Sequence, residues 1–240
     1  MKKNIILLIA FIAMGLSLSC GNKGDKENNT LSKKQEQEGW KLLFDGETLN
    51  GWHGYNGGML SAWSVENDVI VCGGSNADKS DRRVDLTTDK KYRNFEFSID
   101  WKISPGSNSG IVYLVDESHP APWMTGPEYQ IIDDEGFPEK LEDWQKTGAN
   151  YAMNVTISRP TKPVGEWNNT VIIKKDAHVE HWLNGVKVVE YTLWTPEWEK
   201  EKAEGKWKDY PTYGTVQEGY ISLQDHGSPV YFRNVMIKEL

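Results

Sequence analysis

Cysteine is scarce in this chain: 240 residues carry two, Cys20 and Cys72. That excludes a disulfide framework and a multi-cysteine metal site. No His-Glu-x-x-His spacing occurs, so the helix-borne zinc motif is absent as well. Positive charge is also in short supply. Lys and Arg number 27 against 35 Asp and Glu, a formal net charge of -8. Such a chain lacks the basic face that phosphates need, and nucleic acid is not an expected partner. From Gly39 onward there is no internal repeat, no second domain boundary and almost no helical periodicity, so a single β-rich domain is expected.

Aromatic residues are abundant. Eleven Trp and ten Tyr stand in an otherwise ordinary globular composition, 38% hydrophobic and 26% charged. Aromatics favour strands, and exposed ones stack on sugars and other flat apolar faces. Most are expected to fill a β core.

The first residues have their own logic. Lys2 and Lys3 precede the apolar run "IILLIAFIAMGLSL", and Ser19-Cys20-Gly21 follows. The run is short and ends in small residues, which is the pattern of an export signal over residues 1–19 rather than a spanning helix. Cys20 at the cleavage point marks a bacterial lipoprotein with Cys20 lipidated, although "SLSC" places Ser17 where the strict lipobox carries Leu. The alternative is a plain secretory peptide with an incidental Cys. Removing residues 1–19 takes away two Lys and no acid, so the net charge falls from -8 to -10. Residues 20–38 are polar, with Leu31 the one aliphatic residue after Cys20, and read as a flexible tether. The expectation is an exported, membrane-anchored protein in the periplasm or at the cell surface. Cys72 then has no partner and is expected to be a small core residue.

From Gly39 the chain alternates short strands and turns. "NFEFSIDWKIS" puts Phe95, Phe97, Ile99, Trp101 and Ile103 on one face and Glu96, Ser98, Asp100 and Lys102 on the other. "SGIVYLVD" and "EYQIID" are further strands. "TVIIKKDAHVEHWLNGVKVVEY" reads as three strands with two tight turns. Asn184-Gly185 is the strongest hairpin signal, because a type I′ turn needs positive φ at both central residues. One stretch is helical, Thr195 to Trp207, with Thr195 as N-cap, Pro196 at the first position and Gly205 as stop. The fold class is all-β, a β-sandwich or jelly roll with one short surface helix.

Six blocks in order resemble one known family: "GWKLLFDGETLNGWH", "GSNSGIVYLV", "TGPEYQIIDD", "GEWN", "EHWLNGVKVVEY" and "YISLQDHGSPVYFRNVMIKEL". They are similar to the bacterial 3-keto-disaccharide hydrolase domain, over Gly39 to Leu240. The resemblance implies a concanavalin-like jelly roll with a concave groove. It also implies cleavage of 3-keto-glycosides, on an oxidised oligosaccharide or glycoside supplied by a separate sugar oxidoreductase. Many members carry a His-Pro-Asp element after the EYQ block; this chain has Phe137-Pro138-Glu139 there.

Parity selects the candidate residues. Glu128 and Gln130 share one face if Tyr129 and Ile131 are core. Ser222, Gln224 and His226 share one if Ile221 and Leu223 are core. Asp100 and Lys102 look outward from the Phe95–Ile103 strand. Asp133, on the opposite parity to Glu128, belongs to the turn that ends its strand. Elimination from a 3-keto-glycoside needs a base at C2, charge stabilisation at the C3 oxygen and a proton for the leaving group. Glu128 is the expected base and His226 the expected acid or base. Lys102 and Arg83 are candidates to stabilise enolate charge, and Asn108, Gln130, Gln224 and Asp100 to bind substrate. Asn108-Ser109-Gly110 reads either as a strand-starting turn or as part of a site. No cofactor is required; a divalent metal is possible, with Glu128, His226 and Asp225 as candidate ligands. His181 shares parity with Val179 and Leu183 and reads as a packed histidine. The alternative function is a non-catalytic carbohydrate-binding module, whose groove would hold aromatics and amides without a poised acid or base. A third reading, an interaction module, would show an exposed apolar patch.

Overall fold

Phe95, Phe97, Ile99, Trp101 and Ile103 are all buried, and the two-residue period that places them there generates the architecture. The structure, a computed structural model, describes residues 28–74 and 83–240. Its strands in chain order are β1 (Lys41–Leu42), β2 (Trp52–Gly54), β3 (Trp63–Glu66), β4 (Val69–Cys72), β5 (Leu86–Thr88), β6 (Phe95–Ile103) and β7 (Asn108–Val115). They continue as β8 (Glu128–Ile132), β9 (Asn168–Lys175), β10 (His178–Leu183), β11 (Val186–Thr192), β12 (Tyr220–Leu223) and β13 (Val230–Glu239). Two antiparallel sheets result. The eight-stranded sheet runs β11-β10-β9-β6-β13-β4-β3 with β1 also on β13, and the five-stranded sheet runs β2-β5-β12-β7-β8. This is the jelly-roll sandwich that the alternation predicts.

The core lies between the sheets. The apolar face of β6 meets Ile111 and Tyr113 from β7, Tyr129 and Ile131 from β8, and Ile221 and Leu223 from β12 in one cluster. Several polar groups in and around it are paired, as burial favours. Trp101 Nε1 donates to Thr170 Oγ1 at 2.9 Å. His181 is fully buried; Nδ1 lies 2.9 Å from the Gly148 carbonyl and Nε2 lies 2.8 Å from Tyr113 Oη. The carbonyl can only accept, so Nδ1 carries the proton and Tyr113 donates to Nε2. Burial pushes the imidazole down to about 4, so His181 is the packed, neutral histidine expected from its parity. Asn184 and Gly185 both have positive φ, 49° and 79°, in the β10–β11 turn.

Two expectations need correcting. Residues 29–38 are not wholly a loose tether. Asn29 is buried; its amide donates to Asn234 Oδ1 at 2.7 Å, and the Asn234 amide donates back to Asn29 Oδ1 at 2.7 Å. Asn29 Nδ2 also donates to the Asp68 carbonyl at 2.8 Å. A short helix α1 (Lys33–Gln37) follows, capped by Ser32 in a capping box with Gln35. Composition missed this because the clasp is made of hydrogen bonds rather than apolar area. A chain that starts at residue 39 should therefore be about 2 kcal/mol less stable than one that starts at residue 28. Urea unfolding of the two decides it, and coincident midpoints would refute the clasp.

The second correction concerns β6. Asp100 and Lys102 do face outward, but from the eight-stranded sheet. Asp100 accepts from Asn169 Nδ2 at 2.9 Å and Asn234 Nδ2 at 2.7 Å, and Lys102 Nζ lies 4.6 Å from the Tyr231 ring centroid and 5.1 Å from that of Trp167. Parity tells which face of its own sheet a residue occupies; it does not tell which sheet. These two residues sit on the opposite side of the sandwich from Glu128. Residues 1–27 and 75–82, which include the expected export signal and Cys20, lie outside the described residues.

Candidate functional site

The side of the five-stranded sheet that faces away from the core is covered as well. Glu128 and Gln130 on β8 alternate with the core residues Tyr129 and Ile131, yet all four are buried. Their cover comes from three segments. One is the turn Tyr55–Gly57, the second is the stretch Pro120–Trp123, and the third follows helix α2 (Pro196–Glu204) as the one-turn helix Lys206–Asp209. Between floor and cover lies a cavity of about 580 Å³, within the size range of small-ligand sites.

Helix α2 forms where expected. Thr195 Oγ1 accepts from the Trp198 amide at 3.1 Å, Pro196 opens the helix and Gly205 ends it. It is not merely a surface helix. Tyr213 is stacked between Trp198 and Trp207, with centroids 5.9 Å and 3.9 Å away. That stack pins the segment against the domain and fixes Trp207 and Lys206 in the cavity wall. Lys206 Nζ sits 4.1 Å from the Tyr151 ring centroid and 5.0 Å from that of Trp207. Trp123 meets Tyr210 edge-on at 5.1 Å, completing an aromatic side.

The floor is polar. Register aligns Gly110 on β7 with Gln130, and Val112 with Glu128. An added Cβ at Gly110 would lie 2.3 Å from Glu128 Oε1, so the carboxyl group occupies the space that the missing side chain leaves. Burial pushes the Glu128 carboxyl up to about 8; Lys206 pulls against this and Asp85 adds to it. Asp85, beside β5, is buried and accepts from the Asp225 amide at 2.9 Å. Burial raises it to about 7 against the pull of that amide. Burial also lowers Lys206, opposed by Glu128. Desolvation and the neighbouring Arg83 hold His226 below its ordinary value. Near pH 7 the cavity thus carries two carboxyls that exchange protons readily and a largely neutral imidazole.

Of the residues singled out by sequence, Glu128, Gln130, Asn108, Arg83, Gln224, Asp225 and His226 line this one cavity. Asp100 and Lys102 do not. Asn108 Oδ1 is buried without a hydrogen-bond partner, an acceptor available to a ligand hydroxyl. Asp133 accepts the amides of Gly106 and Gly136, both at 2.8 Å, and so shapes its turn as expected. Cys72 is buried, and burial and then Asp225 raise its thiol, so it is no nucleophile. Glu128, Asp225 and His226 share the cavity but are not a compact ligand set. Among the described residues, the trio whose ligand atoms come within 4.8 Å of one another is His178, Glu180 and Glu190 on the outer face of the other sheet. Lys187 already fills that cluster, 3.2 Å from Glu180.

Sequence reasoning missed Asp85, Lys206, Tyr151 and the Trp123–Trp207 side. Asp85 had a faint signal, since Asp85 and Thr87 alternate with Leu86, but a three-residue strand is too short for periodicity to register. Lys206 had none, because nothing local says that the turn after a helix folds back over a sheet.

Comparison with known proteins bears on the same domain. Residues 39–238 match the model of the 3-keto-alpha-glucoside-1,2-lyase-like domain. The chain is 33% identical to a 3-keto-disaccharide hydrolase of Bacteroides thetaiotaomicron, over 89% of this chain and 83% of that protein. It is similar to a crystal structure of a candidate glycosyl hydrolase from Parabacteroides distasonis, with 44% identity, a TM-score of 0.84, and coverage of 89% of this chain and 100% of that one. A second such structure from the same organism shares 27% identity at a TM-score of 0.65, covering 84% and 99%. By the match across nearly all of its described residues, the chain belongs to the 3-keto-alpha-glucoside-1,2-lyase-like domain family.

Proposed function

We propose that this protein is a carbohydrate-active enzyme that cleaves 3-keto-glycosides by elimination and hydration. One observation carries the reading: a buried carboxyl with its proton affinity raised to about 8, on the floor of a cavity large enough for a glycoside. The names of the relatives agree with the substrate class. A carbohydrate-binding module needs no such group, since a buried carboxyl held off its ordinary value is a cost to stability that binding alone does not call for.

In this reading Glu128 removes the hydrogen from C2, which the C3 ketone acidifies. The electron pair passes into an enolate at the C3 oxygen, and Lys206 and Arg83 are the cations available to it. The enolate re-forms the ketone, expels the C1 oxygen and leaves a C1–C2 double bond. Glu128, now protonated, gives that proton to the departing oxygen, and the neutral His226 is placed to act as base toward the water that follows. Water then adds across the double bond, hydroxyl to C1 and proton to C2, which regenerates a 3-keto sugar. Burial favours the protonated form of Glu128, so the base that takes the C2 proton is stabilised in the state that it reaches. Asn108, Gln130 and Gln224 hold sugar hydroxyls, and the Trp123 and Trp207 side receives the flat face of a ring. A sugar oxidoreductase must supply the ketone. The leader composition supports an exported protein anchored through a lipid on Cys20.

Purified protein should be incubated with a 3-keto-glucoside and with its unoxidised parent, each with and without divalent metal. Turnover of the first and not the second is expected. Its rate should rise from pH 6, pass half of its maximum near pH 8 and level off above about pH 9, as Glu128 loses its proton. In deuterated water, deuterium should enter at C2. No turnover of the ketone under any condition, or turnover without label, would overturn the mechanism.

A further inference from the structure

One histidine outside the cavity is held in an unusual way. His53, on β2, has Nδ1 2.8 Å from Asp89 Oδ1 and Nε2 3.0 Å from Glu117 Oε1. Both ring nitrogens face a carboxylate oxygen. A neutral imidazole donates from one nitrogen and presents a lone pair at the other, which a carboxylate would repel. Only the imidazolium donates from both. The geometry is thus that of a charged ring, independent of any titration argument.

The bridge leads to the cavity. Glu117 Oε1 also accepts the backbone amide of Asn56 at 2.8 Å. Asn56 Nδ2 donates to the His119 carbonyl at 2.8 Å, and Tyr55 Oη donates to the carbonyls of Asp116 and His119 at 3.0 and 2.8 Å. The Tyr55–Gly57 turn and the stretch that continues to Pro120–Trp123 are thereby tied together, and both supply walls of the cavity. His53 also shares a row with Glu128. Register runs His53 to Thr87, Thr87 to Ser222, Ser222 to Val112 and Val112 to Glu128. Four strand spacings, about 19 Å, separate the ends of that row. His53 is too far away to touch a ligand at Glu128 and can act only through the wall.

We propose that His53 is a positioning residue: as an imidazolium it bridges Asp89 and Glu117, and through Glu117 it holds the Tyr55–Gly57 turn against the cavity. The other groups around the ring do not supply this link. Tyr220 meets it edge-on with centroids 5.7 Å apart, and Lys91 lies over the Tyr220 ring at 4.9 Å. The Asp116 carboxylate is engaged by the Ser118 amide at 2.7 Å. Partial burial opposes the charge on His53, but Glu117 and Asp89 outweigh it, and the ring is held above its ordinary value. The sign follows. The bridge is complete below about pH 6.5 and is lost as pH rises through the raised value of the folded protein. Above it, the neutral ring can donate to only one of the two carboxylates, and the link between Asp89 and Glu117 is broken.

This inference rests on the proposed substrate only for its kinetic arm. Nitrogen-15 spectra of the intact protein, followed from pH 5 to 9, should show His53 still an imidazolium above its ordinary midpoint of 6.5. The Asn56 amide should shift with the same midpoint. KM for the 3-keto-glucoside should rise about tenfold across that midpoint, with kcat following its own profile. His53→Gln should hold KM at the raised level at every pH and leave the Asn56 amide insensitive. If His53 titrates at or below 6.5, or if Asn56 does not follow it, the bridge is overturned whether or not the sugar is a substrate. If the spectra behave as expected but KM of an active enzyme stays flat, the positioning role is overturned.

Discussion

Glu128→Gln is expected to reduce kcat about 10³-fold and, at pH 8, to raise the melting temperature rather than lower it. Glutamine keeps the shape and a hydrogen-bonding oxygen but cannot take a proton from carbon. The stability effect follows from linkage. Burial raises Glu128 from an ordinary 4.5 to about 8 in the folded protein. Its favourable contribution is complete below about 4.5 and is lost as pH climbs through 8, at about 1.4 kcal/mol for each pH unit in that window. A neutral amide never incurs that loss. Thermal melts at pH 4.5 and pH 8 check it: the two proteins should agree at the lower pH and separate at the higher, the variant being more stable. A variant that melts well below wild type at both would mark Glu128 as a structural residue.

Gly110→Ala should be nearly as damaging to activity, through one added carbon. That carbon would fall 2.3 Å from Glu128 Oε1, 2.9 Å from its Cδ and 3.0 Å from its Cγ. Nothing so close persists, and the carboxyl group is the mobile partner. It must swing off the floor by about 1 Å, a displacement that costs about 10²-fold in rate when the moved group is the base. The fold should tolerate the change, because the contact is with the end of a side chain rather than with backbone; a loss of about 1 to 3 kcal/mol is expected. The measurement pairs kcat/KM with urea unfolding. Wild-type activity in Gly110→Ala would mean that the position of the carboxyl is not what the reaction depends on.

These two residues also show what a linear reading can reach. Period-two alternation put Glu128 and Gln130 on one face and Tyr129 and Ile131 on the other, and the structure agrees at all four. Gln224 and Asn108 meet that face in the cavity because β12 and β7 belong to the same sheet as β8. The same rule misassigned Asp100 and Lys102, whose alternation is just as clean, since β6 belongs to the other sheet. Family resemblance named the fold, and alternation named the floor. The cover stayed hidden. Lys206, Trp207 and Tyr151 reach the cavity through turns whose course depends on tertiary packing, such as the Tyr213 stack, and no local period encodes that. Of the two readings of Asn108-Ser109-Gly110, part of a site is the one the cavity supports: Asn108 lines it, and Gly110 leaves room for a carboxyl group.

The position of β12 and β13 has a consequence for how the chain acquires its form. They are the last two strands in sequence, yet β12 lies in the middle of the five-stranded sheet, and β13 joins β6 to β4 inside the eight-stranded one. Until residues 220–239 are available, β5 has no route to β7 and β4 has none to β6. The five-stranded layer is then two separate fragments and the eight-stranded layer three, with β1 left on its own, and all have bare edges. Maturation is therefore all-or-nothing and dominated by pairings distant in sequence, which makes it slow. Both layers therefore close only once the last segment of the chain, residues 220–239, is in place.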